Sequence, residues 1–340
     1  MTFDDGDQPC GAGSTDSRPS LVSIVIPVYN GAHTIRACLD AILALDYPRE
    51  KYEVIVVDNN SSDGTDAMVL EYGHVTLLYE RSMQSAYAAR NTGIRHASGE
   101  IVAFTDADCI ARPNWLRDLV EPFQDPTVGG VGGEVLDSQC ENLVSRFIQR
   151  HLPYRQCDGH GGRLLPALIG GNAAYRRQDL LDVGLFNTMF DGSDIDLSWR
   201  LQLRTGKRIC FVPEAIVHHV HRSSVKSLFW WQYRFGFGQI LMACLYRDFG
   251  DALYNPKAQL RNMGRQLIAL ATYVLSFVHR FIVWSLRSTD RDRLYVATPC
   301  LFLVADGGLL LGRLKGLWAT RCFRSNIGAR EWEEPIRRRP

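Results

Sequence analysis

Strand-like and helix-like patterns alternate from residue 21 to residue 110, and this alternation constrains the fold more than any other feature. Short apolar runs suited to strands buried on both faces occur at Leu21–Pro27, Tyr52–Val57, Val75–Tyr79 and Ile101–Thr105. Segments with helical spacing separate them, at His33–Leu45, Asp66–Tyr72 and Ser85–Ala97. Such alternation produces right-handed crossovers between parallel strands. We therefore predict an α/β fold with a doubly wound, mostly parallel sheet flanked by helices.

Polar loops follow three of the predicted strands. They carry Asn30, Asp58, and the pair Asp106 and Asp108. Open parallel sheets bind ligands just beyond the carboxyl ends of their strands, so we expect these loops to meet where a nucleotide would lie. Neither G-x-G-x-x-G nor G-x-x-x-x-G-K-[ST] follows any strand, which disfavours a dinucleotide site and a P-loop.

Asp106 and Asp108 come directly after the apolar run Ile101–Thr105. Two carboxylates one residue apart, with nothing basic between them, favour a hard cation. Mg²⁺ or Mn²⁺ held in this way usually shares its remaining positions with substrate phosphates. The alternative is an aspartate-rich turn that caps the next helix, with Pro113 in its first turn. The pair by itself does not decide between them.

The composition describes a folded protein. Of the 340 residues, 46% are hydrophobic and 22% are charged, enough to bury one large domain or two ordinary ones. The nine cysteines include no C-x-x-C pair, so neither a zinc site nor a disulfide framework is indicated. A reducing cytoplasmic setting fits best. No signal peptide opens the chain, and residues 1–19 are predicted to be a disordered tail.

Charge is distributed unevenly along the chain. Residues 1–225 carry 20 Lys and Arg against 29 Asp and Glu, a net charge of −9, whereas residues 226–340 carry 18 against 8, a net charge of +10. Nucleic acid and an anionic membrane surface both attract such a segment. No nucleic-acid motif is present and the basic residues alternate with long apolar runs, so we predict a membrane partner and no nucleic acid.

Three apolar segments lie in this basic region. Ser227–Tyr246 is rich in aromatic residues and is typical of a helix lying in a headgroup layer. Leu267–Leu286 and Leu294–Leu311 approach the ~20 residues that a membrane span needs. Arg280 and Asp306 interrupt them, at a cost of roughly 2.5–3.5 kcal/mol each on insertion scales. A two-helix hairpin and helices half-embedded in the inner leaflet both remain open, as does a soluble helical extension or oligomer interface.

Four segments stand in a recognisable order. They are V-S-I-V-I-P-V-Y-N-G with V-I-V-V-D-N-N-S-S-D-G-T; A-A-R-N-T-G-I-R-H-A-S-G-E; F-T-D-A-D-C-I with Trp115-Leu116; and D-G-S-D-I-D-L-S-W-R-L. Over residues 20–225 the chain resembles the large bacterial family of inverting family 2 glycosyltransferases with the GT-A fold. Several motifs in fixed order are more specific than any one of them.

The resemblance implies roles for the first half of this region. The nucleotide base and ribose would be lined by Pro27, Tyr29, Asn30 and Asp58. Arg90 lies in the segment that is usually near the nucleotide. These residues would bind a nucleotide-diphosphate sugar.

Further roles follow for the cation, the base and the sugar. Asp106 and Asp108 would be the D-x-D pair, with Asp108 the more direct ligand of Mg²⁺ or Mn²⁺, and His219 would complete the metal or diphosphate site. Asp194 falls where the family places its catalytic base. Gly171 and Asn172 would let the backbone approach the donor sugar or the acceptor. For His219 a surface strand, and for the Gly171–Asn172 segment a plain tight turn, remain open; Trp115 and Trp199 are expected in the core.

Two departures from the family pattern stand out. Ser193 precedes Asp194 where the family commonly has Glu. The carboxylate of the base is therefore kept, whereas the supporting hydrogen bonds of the Glu are lost. Processive members carry Q-x-x-R-W, whereas this chain has Gln232-Tyr233-Arg234-Phe235. The resemblance therefore implies addition of a single sugar.

The predicted organisation has three parts. After the tail comes a GT-A catalytic domain over residues 20–225, with a nucleotide-binding half at 20–110 and an acceptor half at 111–225. A basic, apolar helical region at 226–340 associates with or spans a membrane. The expected activity is inverting transfer to a hydroxyl acceptor, lipid-linked or a surface-polysaccharide intermediate, at the cytoplasmic side of the cell membrane. A sugar-phosphate nucleotidylyltransferase and a non-catalytic nucleotide-sugar-binding scaffold are the alternatives.

Overall fold

A computed structural model describes residues 21–138, 142–152, 165–221, 223–246, 256–286 and 293–326. The predicted tail at residues 1–19 lies outside the described residues. The chain divides into two compact units. Unit 1 comprises the described parts of Met1–Ser138, Tyr154–Thr188 and Ser193–Val220, and unit 2 those of Gln139–Pro153, Met189–Gly192 and His221–Pro340.

The first half of unit 1 has the predicted alternation. Its strands are β1 (Val22–Val28), β2 (Tyr52–Asp58), β3 (Val75–Tyr79) and β4 (Ile101–Thr105). The helices between them are α1 (Ile35–Leu43), α2 (Thr65–Leu70) and α3 (Ala86–His96), with a 3₁₀ turn at Arg49–Lys51. All four strands pair in parallel, in the order β3-β2-β1-β4. This confirms the expected parallel sheet.

The second half adds strands of mixed direction. These are β5 (Cys109–Ala111), β6 (Val128–Asp137), β7 (Asn172–Arg176) and β8 (Arg208–His219). The helices are α4 (Trp115–Val120), α5 (Leu143–His151, in unit 2), α6 (Arg177–Asp182) and α7 (Ser193–Thr205), with a 3₁₀ turn at Glu121–Gln124. In the part of the chain that the structure describes, eight strands form one sheet of order β3-β2-β1-β4-β7-β6-β8-β5.

The added strands turn an open parallel sheet into a mixed, mostly parallel one. β7 runs antiparallel to β4 and β6, and β5 runs antiparallel to β8, while β6 and β8 are parallel. β7 begins only at Asn172, directly after two glycines, and β8 runs without a break from Arg208 to His219. β5 was not predicted.

Apolar clusters cover both faces of the sheet in unit 1. Alternate residues of β1 point to opposite faces: Ile24 and Ile26 join one cluster, and Val25 joins the other. The first cluster takes in α1 and α4, and the second takes in α3 and α7. Burial on both faces explains why these strands carry continuous apolar runs.

β6 and β8 approach so closely that only glycine fits at position 133. A Cβ there would overlap the carbonyl oxygen of Ala215 and lie 2.6 Å from Nδ2 of Asn172. The β6–β8 register also shifts between Gly133 and Val135. A register shift and a close backbone approach are what glycines inside a strand permit.

Unit 2 is helical. Besides α5 it contains α8 (Val225–Leu245), α9 (Pro256–Leu286) and α10 (Arg293–Asn326). Glycines allow α8 and α10 to pack backbone against backbone: a Cβ on Gly236 would overlap the carbonyl oxygen of Leu309, and one on Gly312 that of Tyr233. Small residues serve the same purpose between helices packed in membranes.

A polar network joins three helices inside unit 2. Arg313 of α10 donates to Oε1 of Gln239 on α8 at 2.6 Å and to Oε1 of Gln266 on α9 at 2.8 Å. Gln266 in turn donates to Asp306 of α10 at 3.1 Å. Asp306 is one of the two charged residues that interrupt the apolar segments. It therefore has a hydrogen-bond partner on a neighbouring helix.

Two stretches of unit 2 are long and apolar enough to cross a membrane, Gln259–Val283 and Ala297–Thr320. A core helix of a soluble protein can be equally long and apolar, but it is mostly buried. The buried share of each helix therefore distinguishes a core helix from a membrane span. The apolar window of the first is 6% buried and that of the second is 44% buried. α9 therefore exposes apolar side chains along its length, unlike a helix inside a soluble core.

Candidate active site

The turns after β1 and β2 are joined by hydrogen bonds. Asn30 adopts a left-handed conformation with φ 49°, and its backbone N–H donates to Oγ of Ser61 at 2.9 Å. The amide of Ser62 donates back to Oδ1 of Asn30 at 2.8 Å. Pro27 is buried in β1, and Tyr29 is exposed at its end. The structure thus brings the four predicted nucleotide-binding positions, including Asp58 at the end of β2, to one edge of the sheet.

Asp58 keeps one carboxylate oxygen available. Its side chain is 3% exposed, and Oδ1 accepts from the backbone N–H of Ser61 at 3.0 Å. Oδ2 is buried and accepts no hydrogen bond from any residue that the structure describes. A buried carboxylate oxygen without a donor is costly. A ligand N–H reaching this edge would satisfy it.

Glu80, which belongs to no motif recognised in the sequence, organises the loop beside Asp58. Its backbone N–H donates to the carbonyl oxygen of Asp58 at 2.9 Å. Its carboxylate accepts from Ser82 and from the Thr92 hydroxyl at 2.8 Å. Hydrogen bonds from the Ser82 hydroxyl foremost lower the pKa of Glu80 to about 2. This loop is therefore held in place by a permanently charged carboxylate.

The two aspartates after β4 have different partners. Asp106 forms an ion pair with Arg90, whose side chain is 5% exposed. Asp108 is 41% exposed, and its Oδ2 lies 3.6 Å from Nε2 of His219. The pairing of β5 with β8 sets Cys109 opposite His219 and so brings the histidine to the D-x-D loop.

Asp108 and His219 offer two donors to a cation. Among the described residues, no group of three or more His, Cys, Asp or Glu side chains is arranged to hold one. Mg²⁺ and Mn²⁺ commonly use one or two protein ligands and complete their shell with substrate phosphates and water. The donor set present fits a cation that arrives with a diphosphate.

Asp194 stands in the first turn of α7, partly exposed. Oδ2 accepts from the backbone N–H of Gly170 at 3.2 Å, and Oδ1 accepts from that of Ile195 at 3.1 Å and from the Tyr87 hydroxyl at 3.4 Å. Burial raises the pKa of Asp194, and the Gly170 N–H and the charge of Arg90 oppose that rise. A carboxylate with a raised pKa is a stronger base.

Arg90 connects the D-x-D loop with Asp194. Its guanidinium carbon lies 5.5 Å from the ring centroid of Tyr87, and a Cβ on Gly170 would lie 2.9 Å from that carbon. Sequence reasoning missed Tyr87 and the hydrogen bond from the Gly170 amide to Asp194. The three-residue spacing of Tyr87 and Arg90 on one helical face was the signal that could have identified Tyr87.

The side chain of Asn172 has a structural role. Its side chain is fully buried; Oδ1 accepts from the Trp115 indole at 2.8 Å, and Nδ2 donates to the carbonyl oxygens of Glu134 and Ala215, each at 2.8 Å. Gly171 before it is also buried. A contact between this segment and a donor sugar therefore has to come from backbone atoms.

The chain is similar to several known proteins. The sequence profile of the family described as "Glycosyl transferase family 2" matches residues 23–184. Glycosyltransferase AglE of Haloferax volcanii is 35% identical over 238 residues, which cover 67% of this chain and 75% of that protein. The chain belongs to glycosyl transferase family 2.

Other relatives differ more in length. The pre-mycofactocin glycosyltransferase of Mycobacterium tuberculosis is 33% identical over 218 residues, so this family 2 chain matches 61% of its own length and only 44% of that relative. A protein of Methanococcus voltae, named dolichyl N-acetyl-α-D-glucosaminyl phosphate 3-β-D-2,3-diacetamido-2,3-dideoxy-β-D-glucuronosyltransferase, is 23% identical and covers 88% of this chain.

A solved structure extends the likeness to the fold. The mannosyltransferase PcManGT of Pyrobaculum calidifontis, in complex with GDP-Man and Mn²⁺, is 25% identical with a TM-score of 0.60. The match covers 89% of this chain and 88% of that one. The family 2 protein is therefore a glycosyltransferase with a GT-A-type fold, and the nucleotidylyltransferase and scaffold interpretations are set aside.

Proposed function

We propose that this glycosyltransferase acts with inversion, by a single displacement in which Asp194 is the base. The observation that supports this most directly is the environment of Asp194: partly exposed, at the start of α7, with a pKa raised by burial. General bases work best when their pKa lies near the operating pH. A single displacement needs no covalent intermediate, so one carboxylate suffices and the neighbouring Ser193 is compatible with activity.

The donor would be a nucleotide-diphosphate sugar bound at the ends of β1 and β2. Oδ2 of Asp58 would accept a hydrogen bond from a base N–H, since it has no donor among the described residues. Pro27, Tyr29 and Asn30 would line the base and ribose from the β1 turn. The hydrogen bond from the Asn30 backbone of this turn to Ser61 supports a preformed subsite.

Asp108 and His219 would hold Mg²⁺ or Mn²⁺, with Asp106 beside them. The bound cation would neutralise charge that grows on the leaving nucleoside diphosphate. Asp106, paired with Arg90, would orient the diphosphate side of the site. Backbone atoms at Gly171 and Asn172 would border the sugar. The Mn²⁺ and GDP-Man in the related mannosyltransferase support this class of donor and cation.

The proposed acceptor is a lipid-linked or surface-polysaccharide intermediate, reached at the cytoplasmic side of the membrane. Relatives named for such substrates include the M. voltae protein and an Escherichia coli UDP-Glc:α-D-GlcNAc-diphosphoundecaprenol β-1,3-glucosyltransferase, 39% identical over 130 residues. The exposed apolar face of α9 supports membrane association. The net charge of +10 in residues 226–340 favours an anionic leaflet over any nucleic acid partner.

The first experiment compares sugar transfer by the wild type, Asp194→Asn and Asp182→Asn. UDP-, GDP- and dTDP-sugars are screened with Mn²⁺, first for thermal stabilisation and then for transfer to membrane extracts. Asp182 is an exposed carboxylate that accepts a hydrogen bond from its helix neighbour Gln178, away from the groups that hydrogen-bond to Asp194, so its variant should retain activity. We expect Asp194→Asn to lose about 10²–10⁴-fold in kcat.

Product stereochemistry, read by NMR of the anomeric proton, should be inverted relative to the donor. Full activity of Asp194→Asn, or a retained anomeric configuration, would refute the single-displacement proposal.

A further inference from the structure

Arg90 lies in surroundings that strengthen its charge. It is 5% exposed on α3, pairs with Asp106, and lies 5.5 Å and 5.9 Å from the ring centroids of Tyr87 and Phe186. Those two rings stack on each other with centroids 5.6 Å apart. With water excluded by aromatic rings, a guanidinium acts on nearby carboxylates more strongly than it would at the surface.

A glycine separates Arg90 from the proposed base. A Cβ at position 170 would lie 2.9 Å from the central guanidinium carbon of Arg90 and 3.1 and 3.2 Å from its two terminal nitrogens, closer than an ordinary contact. The backbone N–H of Gly170 donates to Oδ2 of Asp194 at 3.2 Å. The missing side chain at residue 170 therefore lets the guanidinium lie directly against the segment whose backbone N–H bonds Asp194.

We propose that Arg90 is a positioning residue that couples the donor side of the site, at Asp106, to the base at Asp194, with Gly170 as the spacer. This rests on the proposed function. One charge serves two carboxylates that act at different points of the reaction: Asp106 beside the diphosphate and Asp194 beside the acceptor. Arg90 keeps the first oriented and helps the second stay ionised.

The groups around Asp194 define what Arg90 contributes. On α3 they are Tyr87, whose hydroxyl donates to Oδ1, and Arg90, whose charge favours the ionised form; on β7 Tyr175 interacts with Asp194 electrostatically. Gly170 supplies a backbone donor. Burial raises the pKa of Asp194 and Arg90 lowers it. Loss of Arg90 should therefore leave Asp194 protonated up to a higher pH.

The test measures kcat against pH for the full-length wild type, Arg90→Met, Arg90→Lys and Gly170→Ala, at saturating donor, acceptor and Mn²⁺. We expect the acid limb of Arg90→Met to move up by roughly 1–2 pH units, as removal of an opposite charge implies. Arg90→Lys should have the acid limb of the wild type, because it restores the positive charge. Its donor KM should nevertheless exceed that of the wild type, because an ammonium cannot replace the planar guanidinium that pairs with Asp106. Gly170→Ala should shift the limb by displacing the guanidinium.

Arg95→Met is the matched control, since Arg95 is exposed on the same helix. Its pH profile should coincide with that of the wild type. A ¹³C NMR titration of the Asp194 carboxyl reads the same shift without turnover, so the result does not depend on having the right acceptor. If Arg90→Met does not fold, Arg90→Lys and Gly170→Ala supply the measurement.

The outcomes separate the two proposals. A uniform loss of kcat across pH, with unmoved acid limbs and an unmoved Asp194 titration in every Arg90 and Gly170 variant, would overturn the coupling while leaving the transfer reaction intact. A wild type that transfers no sugar from any donor, or an active Asp194→Asn, would instead overturn the proposed function.

Discussion

Nε2 of His219 and Oδ2 of Asp108 lie 3.6 Å apart where β5 meets the end of β8. Asp108 lies near the middle of the catalytic sequence and His219 near its end, and the two share no local motif. Their approach depends on a three-residue strand, β5, which follows the D-x-D loop directly. A single short pairing thus places an imidazole beside the more exposed of the two aspartates.

His219→Ala should lower the apparent affinity for Mn²⁺ by at least about tenfold, because a cation bound by Asp108 alone has one protein ligand fewer. Titration of transfer activity with Mn²⁺ measures the change. His218→Ala is the control, since that neighbour contacts Arg112 at 3.4 Å and not the D-x-D loop. Equal Mn²⁺ requirements in the two variants would refute the proposal that His219 binds the cation.

Asp58→Asn should weaken donor binding without destabilising the fold. Oδ2 accepts no hydrogen bond from the described residues, so the free protein loses little, whereas a base N–H would lose a charged acceptor. Hydrogen bonds to charged groups contribute about 1.5–3 kcal/mol, which predicts a roughly ten- to hundredfold rise in donor KM. Calorimetric donor binding and thermal unfolding measure the two effects; a lowered Tm with unchanged KM would contradict the assignment.

Asp194→Asn should raise Tm at neutral pH although it lowers activity. Burial raises the pKa of Asp194 above its ordinary 3.8, so the folded protein binds this proton more tightly than the unfolded chain does. Its contribution to stability is therefore greatest at low pH and is lost as pH rises through the raised value. Unfolding followed from pH 4 to pH 8 should show this dependence in the wild type and lack it in the variant.

Asp196→Ala, two residues further along α7, should have the opposite effect on stability. Asp196 pairs with Arg200 at 2.8 Å, both side chains are buried, and Arg200 also donates to the carbonyl oxygens of Val183 and Leu185. Removing one partner of a buried pair costs about 3–5 kcal/mol. Asp182→Ala, at an exposed helix pair, should stay within about 0.5 kcal/mol in urea unfolding. Similar losses of unfolding free energy in the two variants would show that the buried ion pair contributes no more to stability than the exposed contact.

Leu275→Ser combined with Ile268→Ser should release the protein from anionic phosphatidylglycerol vesicles in flotation assays. Both residues lie on the exposed face of α9, and apolar area in contact with acyl chains would be lost. Leu70→Ser is the control, since Leu70 of unit 1 is 67% exposed against 72% for Leu275. Equal flotation of all three proteins would place the apolar face of α9 outside the membrane.

Much of the sheet was predictable because its physical cause is local. β1, β2 and β4 are buried on both faces, so each appears in the sequence as an uninterrupted apolar run ending in a polar turn. β5 was not predictable: three residues carry no periodicity, and their partners lie at Val217–His219. α5 was missed although its signals are local: its apolar residues Val144, Phe147 and Ile148 have helical spacing and Asn142 caps its first turn.

The site could be predicted as a set of positions but not as a set of contacts. Asn172 follows two glycines, a pattern equally consistent with a sugar-binding loop and with its observed place under the Trp115 indole. Arg90 and Asp106 were both singled out, yet nothing in their spacing indicates that they pair. Such contacts arise from the way α3 packs on the sheet, which the tertiary fold determines.

The hydrogen bonding of β5 to β8 has a consequence for biosynthesis. A nascent chain that has emerged only as far as the D-x-D loop has both aspartates but not the histidine beside Asp108, because β8 ends at His219. Affinity for a divalent ion and an activated sugar should therefore arise late in translation, when the last strand joins the sheet. Half-made copies would leave the cell's nucleotide-sugar pool untouched.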